Sequence, residues 1–144
     1  MTTFWVNAAI VAALDQILDR IDAGTGAGKV RIYSGTAPVD ADTALSGNTQ
    51  LAELIMTDPA FAGAVNSNPG ATATASAIAN DASADATGTA TFFRILDSDN
   101  VVVAQGAVTA TGGGGELELN SVAISAGVIV SITSMTAFMA ESAA

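Results

Sequence analysis

The chain contains no histidine and no cysteine. Without imidazole or thiol it has no Ser-His or Cys-His nucleophile, no imidazole acid-base group near neutral pH, and no thiolate ligands for zinc or iron-sulfur clusters. Disulfides can neither brace the fold nor report the redox compartment. Positive charge is almost as scarce. Arg20, Lys29, Arg31 and Arg94 face 14 acidic residues, which gives a formal net charge of -10 and a pI near 4.1. Such a surface repels phosphate backbones and anionic lipid, so neither nucleic acid nor membrane is an expected partner. Aromatic residues make up 5% and charged residues 12%, against about 25% charged in ordinary domains. No run approaches the roughly 18 apolar residues of a membrane-spanning helix. The longest, residues 4–14, contains Asn7. No Lys or Arg precedes it, and its pattern continues through Asp15, Asp19 and Arg20 instead of reaching a small-residue cleavage site. It therefore does not read as a secretory signal, and the mature chain is expected to begin here.

What is present is alanine, threonine, glycine and valine. The 144 residues suit one domain, 1–144, that buries roughly two-thirds of its unfolded surface. Half the residues are hydrophobic and the mean hydropathy is +0.48. So little surface charge is easiest to reconcile with a surface partly covered by other subunits. Ile10, Leu14, Ile17, Leu18 and Ile21 recur at spacings of three and four, with Asp15, Asp19 and Asp22 opposite, which predicts an amphipathic helix over residues 3–21. Gly24, Gly26 and Gly28 end it.

Beyond them the period changes to two. Residues 29–33 alternate, with Val30 and Ile32 inward, and 51–56 is a second strand candidate with a helical turn as the alternative. Residues 36–50 have loop composition, Asp58-Pro59 marks a break and residues 66–70 a turn. Thr72, Thr74, Ser76 and Ile78 alternate with alanines, predicting a strand over 71–79 with a small-residue face. Strands are further expected at 89–96, with Phe92 and Phe93 on opposite faces, and at 101–105, 116–119, 122–124 and 128–135, separated by turns at 97–100 and 112–115. The expected fold is mainly β: an antiparallel β-sandwich or barrel over 29–136 with one N-terminal amphipathic helix within 1–23.

Several segments invite a chemical reading. Gly24-Thr-Gly-Ala-Gly-Lys29 resembles a phosphate-binding loop in composition only, because Ala23 stands where the first glycine belongs, Val30 follows the lysine, and the helix comes before the loop. It reads as a helix-to-strand turn. Asp97, Asp99 and Asn100, and Asn80, Asp81 and Asp85, offer oxygen ligands without the sixth-position glycine or distal glutamate of an EF-hand, and hairpin chemistry explains them better. Paired carboxylates for glycoside hydrolysis lack a supporting motif and aromatic platforms. No catalytic residue, cofactor or metal is expected, and the protein is not read as an enzyme. Phe4-Trp5 is the most informative aromatic pair. Packing against the sheet is one reading; an interface segment formed by Thr2, Thr3, Phe4 and Trp5 is the other.

Val30-Arg-Ile-Tyr-Ser-Gly-Thr-Ala-Pro38, Thr57-Asp-Pro-Ala-Phe-Ala-Gly63, Ser83-Ala-Asp-Ala-Thr-Gly-Thr-Ala-Thr-Phe-Phe-Arg-Ile-Leu-Asp97 and Gly127-Val-Ile-Val-Ser-Ile-Thr-Ser134 together resemble the small Ala/Thr/Gly-rich structural proteins of tailed bacteriophages. The resemblance spans nearly the whole chain and implies a place in the virion, on the capsid or in the neck and tail. The function expected from it is a capsid decoration or cement protein that binds the outer face of the major capsid protein shell and ties capsomers together. It would do so as a homo-oligomer, a trimer being favoured, after synthesis in the host cytoplasm. A neck, tail or fibre protein is the alternative, and a carbohydrate- or host-surface-binding module is a third reading.

Overall fold

Ile10, Leu14 and Leu18 bury one stripe of α1 (Asn7–Leu18), as their spacing predicts. The computed structural model describes residues 3–141. At both ends the helix is shorter than the expected 3–21. Val6 stays extended at φ -66° and ψ 143° and supplies no side-chain cap, so residues 3–6 do not join it. At the other end Arg20 and Ile21 donate to Ile17 and Leu18, three residues back, which tightens the chain out of α geometry while Ile21 remains buried.

Ten strands follow among the described residues: β1 (Lys29–Ser34), β2 (Thr49–Ile55), β3 (Val65–Asn66), β4 (Gly70–Thr74), β5 (Gly88–Thr89), β6 (Phe92–Leu96), β7 (Val102–Ala110), β8 (Leu117–Leu119), β9 (Ala123–Ile124) and β10 (Ile132–Ala140). Eight of them form one sheet in the order β2-β1-β6-β7-β8-β10-β4-β3, while β5 and β9 make a separate ribbon. Backbone bridges Met56 to Ile78 and Phe61 to Ala75 tie the segment after β2 to the segment after β4. The long sheet thus doubles over as a sandwich, and among the described residues no continuous ladder closes it into a barrel. Val30, Ile32, Phe93 and Ile95 from one half and Ala71, Ala73, Leu117, Leu119 and Met135 from the other fill the core with the buried stripe of α1.

Several expectations need correction. The sheet is mixed, because β7 and β8 run parallel. Residues 111–116 bring the chain back that quickly because Gly112 and Gly114 adopt φ of +85° and +77°, while Gly113 and Gly115 lie so close to Thr109 that an added Cβ would come within 2.6 and 2.8 Å of it. The strand expected over 71–79 ends at Thr74, although its alanine face is buried as expected. The one expected over 89–96 is split between β5 and β6. Residues 128–131 do not begin the last strand; Val130 bridges Asp81 instead, and β10 runs from Ile132 to Ala140. The segment expected at 51–56 is strand rather than helical turn, but it starts two residues earlier and ends at Ile55, with Met56 only bridging Ile78, and β3 lies just where the 66–70 turn was expected to begin.

β6 is buried on both faces. Phe93 and Ile95 point into the core, whereas Phe92 stacks on Tyr33 with ring centroids 5.2 Å apart on the other side. Residues 36–48 cover that outer face. Arg94 Nη2 donates to the Thr43 carbonyl at 2.6 Å, and Gln105 Nε2 to the Pro38 carbonyl at 2.9 Å. The edge of β2 is also covered: Ala79 N–H donates to Ile55 O, Glu53 N–H to Asp81 Oδ2, and Asp85 N–H to Leu51 O. An edge engaged at alternate residues is closed to pairing with another chain.

Candidate interaction surface

The acidic loops are structural. Asp97 Oδ1 accepts the N–H groups of Asp99 and Val101, each at 2.9 Å, and closes the β6–β7 hairpin, in which Asn100 takes φ +67°. Asn100 Oδ1 faces cations, accepting from Lys29 Nζ at 3.0 Å and Arg31 Nη2 at 2.6 Å. Asp81 uses its two oxygens on Ser83 and Glu53 N–H groups, and Asp85 receives Gln50 Nε2. Among the described residues no group of three or more acidic side chains is placed to hold a metal. The glycine-rich turn after α1 docks on the same hairpin: Thr25 N–H donates to Ser98 Oγ and Ser98 Oγ to Ala23 O.

The acids of α1 and the turn after it are partly absorbed by the fold as well. Asp15 accepts the Ala64 N–H at 2.7 Å and Asp22 the Ala60 N–H at 2.9 Å. Burial raises the Asp22 carboxyl above its ordinary value, and Asp58 and Asp19 push the same way against the Ala60 N–H.

The N-terminal aromatic pair is not core. Phe4 is 69% exposed, Trp5 61% and Val6 72%, with Thr3 exposed beside them; Thr2 lies outside the described residues. Of the two readings of the pair, packing against the sheet is the one this placement disfavours. Trp5 borders a shallow cavity of about 340 Å³ with Ala9, Ile10, Ala13, Met139 and Ala140, and Glu141 supplies a carboxylate at its rim. The outward side of α1 continues the patch through Ala8, Ala9, Ala12, Ala13 and Ile17, and no side chain before Asp15 carries charge. A large exposed aromatic outside the sequence-predicted set, Phe138, stands 59% exposed on β10. Its signal in the sequence is the apolar alternation of Met135, Ala137 and Met139, which extends past the expected end of the sheet.

A second cavity of about 350 Å³ lies between β7 and β10, against Leu14, Leu18 and Ile21. Comparison with protein-family models, curated proteins and solved structures gives no match for this chain. Among the described residues no helix is long and apolar enough to cross a membrane.

Proposed function

We propose that this chain is a structural component of a phage particle, a capsid decoration or cement protein that binds the outer face of the major capsid protein shell as a homo-oligomer. The observation that carries the reading is the uncharged, solvent-facing patch of Phe4, Trp5, Val6 and the alanine side of α1 on a chain of net charge -10. An exposed aromatic segment of this kind is the usual composition of an interface centre. The covered edge of β2 supports the same reading, since it takes that edge out of open-ended strand pairing. The resemblance in wording to small virion proteins supplies the place. Locating the chain in reconstructions of intact particles tests it: hundreds of copies on the outer shell are expected. A few to tens of copies would move it to the neck, tail or fibre, and absence from particles combined with glycan binding would make it a host-surface module. Deleting residues 2–5 should weaken particle binding by about 2–4 kcal/mol, the range of an aromatic hot spot, while the sheet stays folded.

A further inference from the structure

We propose that the cleft between β7 and β10 is a strand-accepting slot, and that its occupant is the N-terminal segment, residues 3–6, of a second copy of this chain. β8 pairs with β7 on one side and with β10 on the other, but only over Leu117–Leu119. There the two flanking strands stand one strand apart, about 10 Å by the usual spacing. Beyond Glu116 the chain leaves this line for the glycine turn, while β7 continues along residues 102–107 and β10 along 136–140, and no described strand lies between them.

The backbone groups facing the slot follow from the ladder. Ala75 N–H donates to Met135 O, so Met135, Ala137 and Met139 direct their polar groups to β4, and Thr136, Phe138 and Ala140 direct theirs into the cleft. Val108 N–H donates to Thr91 O, so Gly106 and Ala104 face β6, and Ala107 and Gln105 face the cleft. At the β8 end Glu116 satisfies the first position on each side: its carbonyl accepts Thr136 N–H and its carboxylate accepts Ala107 N–H, both at 3.2 Å. Further along, the backbone groups of Gln105 and Phe138 have no backbone partner among the described residues. Paired rows of this kind call for an extended backbone.

The slot also suits apolar side chains. Several inward positions along its walls are small, Ala104, Gly106 and Ala137, with the Phe93 ring lying over Gly106 and Met139 at the far end of the β10 wall. Leu14, Leu18 and Met135 lie beneath. Residues 3–6 are uncharged and lie outside regular structure, Val6 being extended, with the side chains of Phe4 and Val6 exposed and the Val6 carbonyl tied to the first turn of α1 by Ala9 and Ile10 N–H. Along a strand Phe4 and Val6 would share one face and Trp5 take the other. Charge admits this segment. Among the described residues the one charged residue lining the cleft is Glu116, already engaged by Ala107 N–H, so an uncharged segment enters without the repulsion that separates two copies of net charge -10 elsewhere. Met139 borders both this cleft and the cavity beside Trp5, which places the root of each arm next to its own slot and permits reciprocal or cyclic exchange. This proposal rests on the reading of the arm as an interface element, but not on the shell being its destination.

The test compares the full chain with the Phe4→Ser/Trp5→Ser variant by sedimentation and amide hydrogen exchange. The full chain should associate, with the Gln105 and Phe138 amides protected. The variant should associate about 30-fold less tightly and lose that protection, while the β1 and β6 amides stay protected and report an intact fold. A monomeric full chain, unchanged association of the variant, or an assembly whose Gln105 and Phe138 amides exchange freely would each overturn the slot. Because the chain lacks cysteine, mixing Thr3→Cys and Phe138→Cys chains adds a positional check. Their mixed disulfide should form faster than that between Thr3→Cys and Thr43→Cys chains, and equal rates would count against the proposal. Particle binding by a monomeric chain would sink the slot and leave the shell-binding function standing.

Discussion

Arg94 is buried at 5% exposure, and its partners are neutral: Thr43 O at 2.6 Å, Asp40 O at 3.4 Å and Gln105 Oε1 at 3.0 Å. Carbonyl dipoles solvate the guanidinium, and in return it pins residues 40–43 over Phe92 and Tyr33. Arg94→Met preserves much of the volume but leaves those acceptors without a donor. It should cost about 3 kcal/mol, within the range for bonds to a charged group plus unsatisfied partners. A urea midpoint unchanged from wild type would show that the loop holds itself down. Glu118 acts on the same scale. Its carboxylate accepts the N–H groups of Gly112 and Gly114 at 3.1 and 2.9 Å, and these hold its pKa below the ordinary value. A depressed folded-state pKa contributes stability that is complete above the unfolded value, about 4.3, and is lost as pH falls through the lower folded value. The melting temperature of wild type should therefore exceed that of Glu118→Gln at pH 7, and the two should converge as pH drops below about 4. A gap independent of pH would remove the charge from the explanation.

At the scale of elements, the alanine face of β4 lets it pack close to the core, and Gly70 lets it begin against β10. Gly70 has φ +134°, and an added Cβ would run into the Met139 carbonyl. Backbone strain and backbone contact act together there, so Gly70→Ala should destabilise by about 2 kcal/mol. Hydrogen exchange should show the β4–β10 pairing opening first while β1–β6 stays closed; uniform loss across the sheet would mean that the two halves of the sandwich unfold as one unit. Helix α1 illustrates the opposite balance. Its buried stripe is ordinary, but its outward side is alanine, so packing specifies where it sits while the remaining surface is left free for contact.

At the scale of the molecule, the acidic loops are fastened to backbone and cations, so chelator should leave the melting temperature unchanged. A fall of several degrees would reveal a structural cation. The net charge of -10 opposes association wherever two copies meet outside uncharged patches. Raising salt from low to physiological ionic strength shortens the Debye length to about 8 Å and should strengthen self-association, as sedimentation at two salt concentrations would show. Weakening with salt would indicate contacts made by opposite charges instead.

The sequence by itself determined the faces of elements and the chemistry they lack. The stripe of α1, the inward Val30 and Ile32, the buried Ala71 and Ala73 and the two-sided Phe92-Phe93 pair all follow from period and residue type, and the absence of histidine and cysteine is absolute. Tertiary structure decided which elements meet. Periodicity records which side of a strand is buried, not what lies beyond it. The cover of residues 36–48 over Phe92, the parallel turn of β8 and the sealing of β2 by residues 79–85 depend on contacts between residues distant in the chain. The same reason separates the two halves of the candidate surface. Phe4 and Trp5 stand out as an aromatic pair at an uncharged end. The slot between β7 and β10 exists only because a three-residue strand stops short between two nine-residue ones, and no local pattern encodes a neighbour that is missing.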